Sequence, residues 1–304
     1  MRLVSNDIGD SQRRSRRQPG SQGGNPTLRL RELGSRLRDL RVNSGLTMEE
    51  AAEELECSPA KISRMETATR GANPRDVRDL CRIYGLTSQD EIDELVDLAR
   101  RAREPGWWTQ YSDLKLSPYI GLEQEAVAIT VFSAWWFPAL LQTADYARAV
   151  IKGIARKIDS RVINERVEAR MRRQQILDRE TRPRYRAILD EAVLRRNVGG
   201  YAVMAAQLDK VLKCQEEEMA FIQVIPFEAG AHPGADSNFD LLEFGESSIQ
   251  GPVVFTEGLY SNLYLERPAE VSRYREAIDY LRDSALSVND SMSLISQVRV
   301  GLPL

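Results

Sequence analysis

The feature that most constrains this sequence is a pair of helix start signals within residues 46–66, which read LTMEEAAEELECSPAKISRME. The first signal is a threonine followed by glutamate three positions later, and the second is a serine followed directly by proline. The pattern predicts two short helices joined by a tight turn. A second helix that begins in this way can place its first turn in the major groove of DNA.

Both helices of this pair have favourable first residues. Thr47 is a good N-cap and Glu50 lies three residues later, so together they predict a capping box. The turn is expected at residues 56–58. Ser58 is then expected to cap the second helix, and Pro59 to take its first position, where a missing N–H does no harm.

The second helix is predicted to have one buried face and one outward face. Ile62 and Met65 are three residues apart, so they share a face and are expected to pack inward. Small and basic side chains remain on the outer side. Ala60 and Ser63 are small enough to let the helix lie deep in a groove, and Arg64 can bind guanine or a phosphate.

The flanking sequence extends this pair to a whole helical domain. Leucines recur at helical spacing in LRLRELGSRLRDLRVNSGL before the pair, and Asn73 and Pro74 begin a further helix after it. This order of helices, from about Leu28 to Leu86, resembles the lambda-repressor-like (Xre-type) helix-turn-helix family. The resemblance implies an all-α, five-helix DNA-binding domain. Two packed helices in an ordinary all-α core are the alternative, which the agreement of cap, proline and flanking helices disfavours.

The resemblance also implies roles for individual residues. Arg41 and Glu66 lie where the family has a structural ion pair, and Thr47 and Met48 lie where it contacts the DNA backbone. Glu56 replaces the usual glycine of the turn, so the turn is either left-handed at some cost or altered. The predicted contacts are Thr47, Lys61, Arg70 and Arg75 with phosphates and Pro59, Ala60, Ser63 and Arg64 with bases, with Met48 and Ser58 beside them.

Length and charge fit a two-domain protein with a basic end. The chain has 304 residues, enough for two cores, and is 42% hydrophobic and 29% charged. We find neither a membrane span nor a signal peptide, so we expect a cytoplasmic location and no membrane partner. The net charge is −3, but residues 11–82 hold 15 basic and 10 acidic residues. Basic charge is therefore concentrated where DNA binding is predicted.

Composition changes divide the chain into three parts. Residues 1–26 are polar, with four arginines between positions 13 and 17, and predict a disordered basic leader that is either an arm over DNA or a dispensable tail. Residues 27–104 are assigned to the helix-turn-helix domain with a linking helix, which ends before a proline and a glycine. Residues 105–304 form a predicted regulatory, dimerisation or partner-binding domain.

Alternating patterns predict an α/β or α+β fold for this C-terminal domain. We expect helices on both sides of Pro138. The predicted strands are RYRAILDE, AFIQVIPF, NFDLLEF and PVVFTEG, and the other predicted helices are DSRVINERVEARMRRQQILDRE, GGYAVMAAQLDKVLKCQEE and, closing the domain, PAEVSRYREAIDYLRDSAL.

A second resemblance covers nearly the whole chain beyond the leader. The segments PALLQTADYARA, RMRRQQILDRE and LDEAVLRRNVGG, with the closing helix, resemble a large actinobacterial regulator family that includes WhiJ-like developmental regulators. Ala139 replaces a glycine of the family's usual PGLLQT, which affects only a local turn. The resemblance implies an antitoxin-like regulator that acts with a small partner protein.

Residues that could carry chemistry are few. The cysteines at 57, 81 and 214 are scattered and His232 is the only histidine, so we expect no metal site and no cofactor. Asp190 and Glu191 follow a predicted strand, and further acids lie at Asp236, Asp240 and Glu257. Without a paired nucleophile or a phosphate loop, structural roles are favoured for these acids and an enzyme is not expected.

Two tryptophan pairs remain ambiguous. Trp107 and Trp108, and Trp135 and Trp136, can belong to the core, to a dimer or partner surface, or to a ligand pocket. Core or interface is favoured, because aromatic clusters alone do not establish a pocket.

The sequence therefore predicts a sequence-specific transcriptional regulator that binds double-stranded DNA as a homodimer. The alternatives are an interaction protein that mainly holds a small cognate partner, with DNA binding for autoregulation, and a sensor that responds to a small molecule.

Overall fold

The computed structural model describes residues 28–103, 106–111, 117–155, 157–245, 251–258 and 261–303. The predicted leader, residues 1–26, and the predicted domain boundary at residues 104–105 lie outside the described residues. Within the described residues, no helix has both the length and the apolar composition needed to cross a bilayer.

The N-terminal domain is a bundle of helices around its own core. Its helices are α1 (Leu28–Ser44), α2 (Met48–Glu54), α3 (Pro59–Glu66), α4 (Pro74–Ile83) and α5 (Gln89–Arg101). Side-chain caps fix three of the starts: Thr47 for α2, Asn73 for α4 and Ser88 for α5. Leucines of α1 pack with apolar residues of the other four helices in one buried cluster, so the five helices form one folding unit.

The C-terminal domain combines a mixed sheet with helices, an α+β arrangement. Its elements are α6 (Ser117–Glu125), β1 (Ala128–Ser133), α7 (Ala144–Ile154), α8 (Ser160–Gln174), β2 (Arg184–Asp190), α9 (Glu191–Arg195), α10 (Tyr201–Glu216), β3 (Phe221–Ile225), β4 (Phe239–Glu243), β5 (Val253–Glu257), β6 (Asn262–Leu265), α11 (Pro268–Ser284) and α12 (Val288–Val300).

The six strands lie in the order β3-β2-β1-β4-β5-β6. Strands β1, β2 and β3 pair in parallel, whereas β4, β5 and β6 extend the sheet by antiparallel pairing. Helices cover both faces: Ile129 and Val131 of β1 join a cluster with α7, α10 and α12, while Phe132 joins a cluster with α11. The central strands are therefore buried on both sides.

Three elements differ from the sequence prediction. Residues 128–133, expected to be helical, form the central strand β1, and β6 was not predicted. A strand covered on both faces is apolar throughout, which a buried helix also is, so its periodicity is not diagnostic. Helix α11 does not close the domain, because α12 follows it. Ser291 of α12 accepts the N–H of Val224, which protects the β3 edge.

Charged and polar side chains are buried beside the sheet, where α6 meets α8 and β4. Arg173 donates two hydrogen bonds, of 2.8 and 2.7 Å, to the carboxylate of Glu123, and both side chains are almost fully buried. The Tyr119 hydroxyl donates to Asp240 at 2.6 Å. Burial raises the pKa of Asp240 to about 7, although the hydrogen bond from Tyr119 opposes this rise.

Two ion pairs join the N-terminal helix to the C-terminal domain. Arg31 contacts both carboxylate oxygens of Glu266 at 3.0 Å, and Arg29 lies 3.1 Å from Glu125. All four side chains are partly exposed, so each pair contributes little stability by itself. They are nevertheless direct side-chain contacts between the two domains.

We expect the Asp240→Asn variant to change how the stability of the C-terminal domain depends on pH. With a folded-state pKa near 7 and an ordinary value of 3.8, Asp240 holds its proton more tightly in the folded state. Ionisation therefore destabilises the fold progressively as pH rises from about 4 to about 7. The free energy of unfolding of Asp240→Asn, relative to that of the wild type, should therefore increase from pH 5 to pH 8. Urea unfolding with tryptophan fluorescence would measure it.

The Asp236→Asn substitution, which removes an exposed carboxylate four residues earlier, is the control for the change in net charge. A constant difference between Asp240→Asn and the wild type at both pH values would contradict the prediction.

Candidate nucleic-acid interface

The start of α2 is held by a reciprocal capping box. The Thr47 hydroxyl accepts the N–H of Glu50 at 3.2 Å, and the Glu50 carboxylate accepts the N–H of Thr47 at 2.8 Å. Hydrogen bonds from Thr47 also lower the pKa of Glu50. Thr47 and its neighbour Met48 are exposed, so both residues that were predicted to contact the DNA backbone lie on the surface at the start of α2.

The turn between α2 and α3 is closed without glycine. Glu56 has a φ of +51°, which is the left-handed conformation that was considered for this position. The N–H of Cys57 bonds to the carbonyl of Ala52 at 2.8 Å, and that of Glu56 to Glu53 at 3.0 Å. This is a Schellman motif, in which two carbonyls at the end of α2 find partners. The turn therefore closes as a Schellman motif even though its left-handed residue is not glycine.

The start of α3 differs from the prediction in one detail. Ser58 occupies the N-cap position and Pro59 the first helical position, but the Ser58 side chain makes no capping hydrogen bond. Proline itself has no N–H to satisfy at this position. Ser58 is exposed, so its hydroxyl is in contact with solvent at the start of α3.

The two faces of α3 are clearly different. Ile62 and Met65 are buried, at 0% and 4% exposure, and form the inner face. Among the predicted base contacts, Pro59, Ala60 and Arg64 are exposed and Ser63 is partly buried. The helix thus presents small side chains and one arginine on a surface that no described residue covers.

An ion pair fixes the far end of α3. Arg41 of α1 donates to the two carboxylate oxygens of Glu66 at 2.6 and 2.9 Å, and also to the carbonyl of Leu46 at 2.9 Å. The hydrogen bond with Glu66 raises the pKa of Arg41. Arg41 and Glu66 are both largely buried. Through this one guanidinium, α1 is connected to α3 and to the loop that precedes α2.

Gly34 allows α1 to lie directly against α3, a contact that was not predicted from the sequence. A Cβ at this position would lie 2.6 Å from the carbonyl oxygen of Glu66 and 2.7 Å from that of Met65. Both distances are too short for any side chain. The signal in the sequence was a glycine inside a predicted helix, a position where glycine lowers helix stability.

The predicted phosphate-binding side chains occupy different environments. Lys61 forms an ion pair with Asp76 at 2.8 Å, so a phosphate would have to compete with this carboxylate. Arg70 is exposed and follows the left-handed residue Ala68, and Arg75 is exposed at the start of α4. The role of Asp76 had not been predicted, because only the fold brings it beside Lys61.

The tryptophan pairs lie apart from this surface. Trp107 and Trp108 form an edge-to-face pair and, with Trp136, pack partly buried against the main core of the C-terminal domain. Arg172 lies over the Trp107 ring, 4.7 Å from its centroid. Trp135 is 39% exposed. Three of the four side chains are thus part of the packed domain, and Trp135 is presented to solvent.

Three of the five candidate acids of the C-terminal domain, Asp190, Glu191 and Asp240, are engaged in hydrogen bonds, whereas the side chains of Asp236 and Glu257 make none within the part of the chain that the structure describes. The sequence suggested that His232 stands alone. In the structure, its Nε2 lies 3.2 Å from the carboxylate of Asp190. Asp190 also caps α9, and Glu191 accepts from Arg195 and from the N–H of Phe227. Among the described residues, no group of three or more His, Cys, Asp or Glu side chains is placed to hold a metal ion.

The buried and exposed ion pairs of the N-terminal domain should differ in their contribution to stability. We expect Glu66→Ala to lower the free energy of unfolding by about 3–5 kcal/mol, because it leaves Arg41 buried without a counter-charge. The matched control is Glu94→Ala, which breaks the exposed pair with Arg36 and should change the free energy of unfolding far less than Glu66→Ala does.

Urea unfolding followed by far-UV circular dichroism would measure both variants. All four tryptophans lie beyond residue 106, so their fluorescence serves as an internal reference for the C-terminal domain. Equal losses in the two variants would show that burial does not determine the strength of these pairs.

Two family models match this chain. Residues 32–95 match a helix-turn-helix domain, which indicates a DNA-binding regulator, and residues 116–297 match a domain of unknown function, DUF5753. No curated protein and no solved structure matches the chain. The second match spans more than half of the sequence and contains the whole six-stranded sheet. The chain therefore belongs to the DUF5753 family and carries a helix-turn-helix domain ahead of the family's domain.

Proposed function

We propose that this chain is a sequence-specific transcriptional regulator that inserts α3, residues 59–66, into the major groove of DNA. The supporting observation is the asymmetry of α3, whose inner face is buried while Pro59, Ala60 and Arg64 are exposed. The Arg41–Glu66 pair holds the helix in place, so its outer face is ordered before DNA is bound. Thr47, Arg70 and Arg75, which are exposed around it, supply phosphate contacts.

A homodimer is part of this proposal. One helix-turn-helix domain contacts only a few base pairs, and two copies reach successive half-sites about 34 Å apart on one side of the duplex. The C-terminal domain would form the dimer, because its 182 matched residues are not needed to build the DNA-binding surface. The operator would then be a repeat whose two halves are related by the dimer axis.

We propose a regulatory rather than a catalytic role for the C-terminal domain. Asp190, Glu191 and Asp240 are each engaged by neighbouring side chains or backbone groups, which supports structural roles. A cytoplasmic, actinobacterial, WhiJ-like or antitoxin-like regulator remains the proposal that the resemblance of the sequence supports. Such a protein would control a developmental gene or its own operon.

A second candidate function is the binding of a small partner protein, with DNA binding for autoregulation. Trp135 and Phe227 favour it: they are 39% and 56% exposed, and they follow β1 and β3, parallel strands that end at the same edge of the sheet. Exposed aromatic residues are common at protein interfaces. Purification from the native host would test this candidate. Co-purification of a stoichiometric small protein that is lost in Trp135→Ala and Phe227→Ala would support it.

A thermal-shift screen of metabolites tests the sensor alternative.

Arg64→Ala is the most direct test of base recognition by α3. With a DNA site obtained by in vitro selection, we expect the substitution to cost about 1–3 kcal/mol of binding free energy and to relax specificity at one position. Arg82→Ala, at the exposed end of α4, is the control and should leave the selected sequence unchanged. Fluorescence anisotropy provides the affinities, and unchanged affinity and selectivity in Arg64→Ala would exclude Arg64 from base recognition.

A further inference from the structure

A groove of about 700 Å³ lies at the base of α3 and reaches Lys61 in the first turn of that helix. It is bounded by the start of α1, the inner part of α3, the segment between α3 and α4, and the end of α5. Its lining residues are Leu30, Lys61, Met65, Arg70, Gly71, Asn73, Asp76, Ala102 and Arg103. This volume is in the range of small-molecule sites.

The groove has an excess of positive charge. It contains three cations, Lys61, Arg70 and Arg103, and one carboxylate, Asp76. Asp76 is occupied by Lys61 at 2.8 Å, and neither arginine forms an ion pair with any residue that the structure describes. Two guanidinium groups thus remain available on the groove wall. Arginine is suited to planar, two-pronged recognition of phosphate groups.

Apart from Asn73, whose side chain caps α4, the uncharged part of the wall is apolar. Leu30 and Arg103 approach from α1 and α5, so that a Cβ on Gly71 would lie 3.4 Å from Leu30 Cδ2 and 3.7 Å from Arg103 Cγ. The stem of Arg103 therefore lies beside the backbone that carries Arg70. Met65 and Ala102, both buried, contribute further apolar surface. The site combines apolar contacts with two arginines that form no ion pair with a described residue, which is the composition expected for an organic anion.

We propose that this groove binds a small organic phosphate of about nucleotide size, with the phosphate on Arg70 and Arg103 and the apolar body against Leu30 and Met65. The two arginines come from different segments, so they match a ligand with more than one negative charge better than a single carboxylate. The site connects the end of α5, which leads to the C-terminal domain, with the base of α3.

This site would also regulate DNA binding, a consequence that rests on the proposed function. Arg70 is a proposed phosphate contact for DNA and Lys61 was predicted from sequence to be another, and a bound anion would engage or neutralise them. The ligand and the DNA backbone would then compete for the same cations. Arg103 lines the groove but is not among the proposed DNA contacts. Its substitution therefore tests ligand binding without removing a DNA contact.

The binding step can be measured without DNA. Isothermal titration of the full chain at 0.15 M salt would use ATP and inorganic pyrophosphate as probes, adenosine as the uncharged control and citrate as the carboxylate control. We expect saturable binding of ATP that is tightest of the four, and a loss of about tenfold or more in each of Arg70→Ala and Arg103→Ala. Arg273→Ala, an exposed arginine of α11 outside the groove, should bind as the wild type does.

Three results would overturn the site: no saturable binding of ATP or pyrophosphate, equal weakening by all three substitutions, or tighter binding of citrate than of either phosphate. Because these titrations contain no DNA, they test the groove even if the proposed function fails. Competition is tested separately by anisotropy on the selected DNA site. ATP should lower the DNA affinity of the wild type but not that of Arg103→Ala, and an equal effect on both would overturn the regulatory role.

Discussion

The presentation of α3 depends on one guanidinium group. Arg41 binds the carboxylate of Glu66 with two hydrogen bonds and the carbonyl of Leu46 with a third, and it is 8% exposed. A charge so far from water is tolerated only when its partners are in place, so the pair favours a single arrangement of three segments. The exposed face of α3 is therefore set by an interaction at the opposite end of the helix.

The C-terminal domain uses a similar contact for a different purpose. Arg173 and Glu123 form a buried two-pronged pair between α8 and α6, next to the hydrogen bond from Tyr119 to Asp240. These groups lie beside the strands rather than at an exposed cleft. The sheet is therefore tied to its helices by polar contacts as well as apolar packing, which specifies how the layers fit together.

Local signals determined how much of this structure could be predicted from sequence. The capping box at Thr47, the proline at position 59 and the cap at Asn73 are interactions within a few residues, and the helices begin where these signals lie. Alternating or bounded apolar runs likewise located β2, β3, β4 and β5. Strand β1 could not be recognised, because burial on both faces removes the alternation that distinguishes a strand.

Contacts between distant segments could not be inferred in the same way. Lys61 with Asp76, and His232 with Asp190, are brought together only by the fold. The Arg41–Glu66 pair was expected from family resemblance, not from spacing. The groove beneath α3 also has no sequence signature, because its walls come from four separate segments.

The contact at Gly34 limits how this protein can transmit a signal. The backbone of α1 lies directly against the carbonyl oxygens at the end of α3, with no space for a side chain between them. We therefore expect α1 and α3 to move together. In the proposed homodimer, a signal from the C-terminal domain would change the spacing between the two N-terminal domains, or the charge around them, rather than the shape of each domain.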